Sequence, residues 1–122
     1  LLAAAGQVEN DRAEPLDLLI HCAGALEIGT VADFPIAQLD LMYQVNVRAP
    51  FLLTQLLLPA LTQSTGQIVF INSSAAVAPN TALAGYSSAK AAIKSVALKA
   101  SELTATVMLV SFLGSIFVFV LV

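Results

Sequence analysis

Three side chains in this sequence are spaced for proton chemistry: Ser73, Tyr86 and Lys90. Tyr86 and Lys90 are four residues apart in a run that reads as helix, which sets them on one face a turn from each other. An ammonium that close to a phenol favours the phenolate, so Tyr86 is a candidate proton donor near neutral pH. Ser73 follows the strand-like run Gln67-Ile68-Val69-Phe70-Ile71-Asn72, whose end can bring its hydroxyl to the same place. Taken singly each has a plainer reading. Tyr86 and Lys90 could be an exposed helix pair, and Ser73 with Ser74 ordinary loop formers.

The elements that must carry these residues alternate. Leu16-Asp17-Leu18-Leu19-Ile20-His21 is a short, mostly apolar run stopped by Gly24, which suits a strand buried on both faces. From Ile36 to Thr62, Leu39, Met42, Tyr43, Val45, Val47, Phe51, Leu52, Leu56 and Leu57 recur at helical spacing. Pro50 should kink that helix or split it in two. Asn46, a poor residue for a helix interior, marks either an irregularity beside Pro50 or a functional amide. Ser64-Thr65-Gly66 is turn chemistry, Gln67 to Asn72 the second strand, Ser73 to Leu83 a loop, and Ala84 to about Leu103 the second helix. Residues 1 to 15 read as a helix end and a loop. The order strand, helix, strand, helix describes an α/β fold with a parallel sheet, whose ligands sit beyond the carboxyl ends of its strands. His21 to Gly24 and Ser73 all fall at such ends.

Composition narrows the class. A chain of 122 residues makes one domain at most. With 58% apolar and 11% charged residues it is mostly interior, a piece of a larger fold, or membrane-associated. No Asp, Glu, Lys or Arg lies between Ala49 and Ala89, so that stretch should face core or another subunit. A net charge of −3 with five basic residues argues against nucleic acid, whose phosphates need clustered Lys and Arg. Cys22 is the single cysteine and His21 the single histidine, which leaves no disulfide and no expected metal site. A lone thiol fits a reducing, cytoplasmic setting. Leu1-Leu2-Ala3-Ala4-Ala5 lacks the basic start and long apolar run of a secretory signal. The first residue is not Met, which hints at a fragment.

Four segments across residues 16 to 103 resemble, in order and spacing, the short-chain dehydrogenase/reductase family. Leu18-Leu19-Ile20-His21-Cys22-Ala23-Gly24 looks like the strand and Asn-Asn-Ala-Gly turn that the family uses near the cofactor's adenosine, with His21 and Cys22 in place of the two Asn. Val45-Asn46-Val47, with Phe51 and Pro59 downstream, is similar to the long helix bearing the family's active-site Asn. Gly66-Gln67-Ile68-Val69-Phe70-Ile71-Asn72-Ser73-Ser74 resembles the strand ending in the catalytic Ser, and counting from Gly66 selects Ser73. Tyr86-Ser87-Ser88-Ala89-Lys90 matches Tyr-x-x-x-Lys. The resemblance implies a catalytic set of Asn46, Ser73, Tyr86 and Lys90, acting with NAD or NADP on a small carbonyl or alcohol. Tyr86 would exchange the proton, Ser73 orient the substrate oxygen, and Lys90 promote Tyr86 ionisation and bind the nicotinamide ribose. Asn46 would hold a water linking Lys90 to solvent. Ala23 and Gly24, with Tyr86 and Lys90, would contact the cofactor. It also implies a homo-oligomer formed through helices 36–62 and 84–103.

The family begins with a glycine-rich turn that receives the pyrophosphate, and here Gly6 stands alone. The expected architecture is an incomplete three-layer Rossmann-like parallel sheet with helical crossovers, its first strands and final strand missing. Residues 1–122 then form one partial NAD(P)-binding domain that holds cofactor poorly. The nineteen uncharged residues 104–122 form an atypical apolar tail. It reads first as two strands broken at Gly114-Ser115, second as a membrane helix, third as an altered terminus. The rival function is a truncated, non-catalytic relative acting through subunit association or membrane attachment by that tail; an inactive paralogue is a further possibility.

Overall fold

A computed structural model describes residues 14–100 in full, together with the backbone of the strands Thr106–Leu113 and Ile116–Leu121. The expectation for residues 1 to 13 lies outside the described residues. Strand β1 spans Leu18–His21, helix α1 Ile36–Tyr43, a π turn Gln44–Arg48, and helix α2 Ala49–Ser64. Strand β2, Gln67–Ser73, leads through a short 3₁₀ turn, Ser74–Ala76, and a loop to helix α3, Ala84–Ala100. Strands β3, Thr106–Leu113, and β4, Ile116–Leu121, follow. The four strands form one sheet in the order β1-β2-β3-β4. The first three are parallel, with Leu18 opposite Gln67 and Gln67 opposite Thr106. β4 returns antiparallel to β3, Leu113 opposite Ile116. The tail is therefore strand and not membrane helix over those two ranges, and its second strand departs from the wholly parallel expectation. Among the described residues no helix is long and apolar enough to cross a membrane.

As Pro50 led one to expect, the long helical run is divided just before it, into α1, the π turn and α2. A proline has no N–H to give the carbonyl four residues back, so the Asn46 carbonyl loses its α-helical donor. The chain answers by widening: Gln44–Arg48 is π, with the Ala49 N–H reaching the Gln44 carbonyl, and helix resumes with Pro50 in its first turn. α2 ends at Thr65, whose φ of 55° is left-handed. Gly66 follows because its α-carbon lies against the Leu16 carbonyl, where any side chain would collide.

The core lies between one face of the sheet and α2 and α3. Burial alternates along β2, with Ile68, Phe70 and Asn72 inside. Ile68 and Phe70 join Leu61 of α2 and Ile93, Ala97 and Ala100 of α3, and Leu16, Leu19, Leu57 and Val96 pack around them. Burying each of the larger side chains contributes about 1.5–3 kcal/mol. The other face is bare among the described residues: Leu18, Ile20 and Ile71 are 46%, 51% and 37% exposed. These residues thus show two of the expected three layers. The end of α2 fixes the start of β1, since the Ser64 hydroxyl donates to the Leu16 carbonyl at 2.5 Å and the Leu16 amide to Ala60 at 3.1 Å. The loop leaving β1 is fixed to the start of α3 by the Gly29 amide, which donates to the Ala82 carbonyl at 2.9 Å.

Candidate active site

The π turn carries Asn46, which is buried, and turns its amide onto the loop that leaves β1. Its Oδ1 accepts from the Ala25 amide at 2.8 Å and its Nδ2 donates to the Ala25 carbonyl at 2.7 Å. Both ends of a buried amide are satisfied by one residue, as burial demands. Gly24 lies directly alongside. A β-carbon there would stand 3.3 Å from Asn46 Oδ1 and 3.8 Å from Lys90 Nζ. Glycine is what allows β1's exit, the π turn and α3 to approach so closely.

Lys90 is 6% exposed, and its Nζ donates to the Ile71 carbonyl at 3.1 Å. Burial pushes its pKa down, because the charged form is disfavoured away from water. The amine also lies 5.7 Å from the centre of the Tyr86 ring, within cation–π reach. Tyr86 itself is half-buried in the first turn of α3. Ser73 ends β2 two residues beyond Ile71 and caps the 3₁₀ turn, its Oγ accepting from the Ala75 amide at 3.2 Å. That bond uses an acceptor site and leaves the hydroxyl proton for another partner.

The fold thus gathers Gly24, Asn46, Lys90 and Tyr86, and anchors Lys90 to the strand that ends in Ser73. Among the described residues no hydrogen bond joins Ser73 to Tyr86. Ala23 is exposed at the end of β1 beside this cluster. Sequence reasoning missed three partners: Ala25 for Asn46, the Ile71 carbonyl for Lys90, and Thr54 for His21. Two are backbone groups, which carry no residue signature, and Thr54 lies thirty-three positions from His21. Among the described residues no group of three metal-ligating side chains occurs.

The residues at this sheet edge suit the nicotinamide end of a dinucleotide: a buried amine, a phenol, a hydroxyl and an exposed Ala23-Gly24 backbone on one rim. The glycines of the sequence are not spaced as in a glycine-rich pyrophosphate-binding turn.

Comparison with known proteins identifies the family. The sequence model of the family described as short chain dehydrogenase matches residues 2–111. A short chain dehydrogenase of Pseudocercospora fijiensis is 37% identical over 83 residues, covering 65% of this chain and 26% of that protein. The NADPH-dependent 3-dehydrocapnine reductase of Ornithobacterium rhinotracheale is 36% identical over 86 residues, 66% of this chain and 30% of that protein. The crystal structure of the KRED1-Pglu enzyme superposes with a TM-score of 0.73 at 28% identity, over 80% of this chain and 41% of the other. The chain therefore spans about a quarter to a third of the length of these curated relatives.

Proposed function

Because the chain belongs to the short-chain dehydrogenase family, we propose that it forms the nicotinamide-binding and proton-transferring part of an NAD(P)-dependent oxidoreductase acting on a small carbonyl or alcohol. The observation that carries this reading is the placement of the Lys90 amine. It is buried, held by Ile71, beside Asn46 and Gly24, and under the ring of Tyr86. The bound nicotinamide would supply the hydride. Tyr86 gives the substrate oxygen its proton in reduction and takes it back in oxidation. Ser73, with its hydroxyl proton uncommitted, donates to that oxygen and fixes its direction. Lys90 stabilises the phenolate and offers its remaining hydrogens to the ribose hydroxyls. The Asn46 side chain spends one donor and one acceptor site on Ala25, and its remaining capacity, with the backbone carbonyl that Pro50 leaves without its usual donor, would hold the water. Ala23 and Gly24 present the backbone wall on the cofactor side.

Self-association belongs to the same proposal. Phe51 of α2 is 55% exposed. With Thr54, Leu58, Val96 and Ala100 it lines a cleft of about 450 Å³ between α2 and α3. A mainly apolar cleft of this kind, with Gln55 and Lys99 also on its lining, suits a second copy of the chain. The test of function is titration of the chain with NADH and NADPH, followed by alcohol or carbonyl turnover in Tyr86→Phe. Binding without turnover in Tyr86→Phe supports the assignment. Turnover retained in Tyr86→Phe removes Tyr86 as the proton donor.

A further inference from the structure

His21 occupies a position where the family resemblance has Asn, and the structure gives the imidazole two contacts. Its Nε2 and the Thr54 Oγ1 of α2 are joined by a hydrogen bond of 2.9 Å, and its ring stacks on Phe70 at 4.7 Å between centroids, tilted by 30°. Thr54 and Phe70 are both buried. Four residues later the Ala25 backbone is held at both its polar groups by Asn46. Between these two attachments lies Cys22-Ala23-Gly24, all exposed. We propose that His21 is a positioning residue: through Thr54 it moors the near end of this turn, as Asn46 moors the far end, and so sets the wall against which the cofactor lies. Its role toward cofactor rests on the function proposed above; the mooring itself does not.

The substitution works because imidazole is long enough to cross from the sheet to α2 while its flat face covers Phe70. Asn at this position would have a shorter reach and no ring to lay on Phe70. Burial draws His21 down to about 4, so the ring that meets Thr54 is neutral at pH 7. No titratable side chain lies on α2 or β2, the two elements packed on the ring; Cys22 is the next titratable group along β1's exit.

Amide hydrogen exchange on the full chain tests this, with rates corrected for their intrinsic pH dependence. In His21→Phe and in Thr54→Val the Ala25 amide should exchange about fivefold faster, the loss expected of one hydrogen bond. The double variant should add nothing further, and Thr54→Ser should restore the parent rate. The amides of Phe70 and Ile93 should hold their protection throughout. An Ala25 amide indifferent to both substitutions, or one that moves only in step with Phe70 and Ile93, overturns the proposal. The measurement needs no dinucleotide, so a chain that fails to bind NADH still reports whether the mooring exists.

Discussion

The Lys90 amine is tied to the Ile71 carbonyl, 3.1 Å away, two residues before Ser73 on the same strand. Helix α3 and strand β2 are thereby locked in register by a side chain of the candidate site itself. A shift of either element would separate Tyr86 and Lys90 from Ser73.

Replacing Lys90 with Met should separate its structural role from its chemical one. A thioether of similar length fills the space and removes an amine whose burial is unfavourable, so unfolding free energy should stay within about 1 kcal/mol of the parent. Affinity for NADH should fall at least about tenfold, roughly the 1.4 kcal/mol that a lost charged contact removes. Urea unfolding and fluorescence titration of NADH read the two effects.

Asn46→Ala should be costly without touching the apolar core. It strips both partners from the Ala25 backbone and leaves an N–H and a carbonyl unpaired in a partly buried place. About 2–4 kcal/mol should be lost by urea unfolding. Asn46→Asp keeps the acceptor and loses the donor, and should fall between.

His21 gives the fold an acid limit. Its folded pKa, about 4, lies below the unfolded value of 6.5. Between those values the unfolded chain holds a proton that the folded chain lacks, so stability is complete above pH 6.5 and falls as pH drops toward 4. Partial exposure of the ring limits the loss to about 1–2 kcal/mol. Unfolding free energies at pH 7, 5.5 and 4.5 should fall progressively in the parent, and the slope should flatten in His21→Asn.

Gly85→Ala should destabilise although alanine favours helix. The new β-carbon would meet Met42 Cε at 2.6 Å and the Phe34 ring at 3.1 Å. Met42 must change rotamer to admit it. The net loss should be about 1–2 kcal/mol by thermal unfolding, overpacking outweighing helix propensity.

The elements legible in the sequence were those with periodic or bounded patterns. Gly66 and the β-branched run after it marked β2 to within a residue, Gln67–Ser73 against Gln67 to Asn72. The spacing of Tyr86 and Lys90 placed both on α3. Pro50 announced a disturbance, but the repair it provokes depends on the whole turn, and a widened coil is hidden from a pattern of apolar positions. The tail was ambiguous because a uniformly apolar run has no period from which to tell strand from helix. Contacts such as His21 with Thr54, or Asn46 with Ala25, join residues from different segments and exist only once the sheet has formed.

The bare side of the sheet has a practical consequence. Among the described residues Leu18, Ile20 and Ile71 make an oily flank opposite the packed one, and two such flanks meeting in solution hide hydrocarbon from water at once. Solubility should be set there. A lysine at Ile20, pointing outward and touching no part of the candidate site, should raise the concentration the chain tolerates before it scatters light.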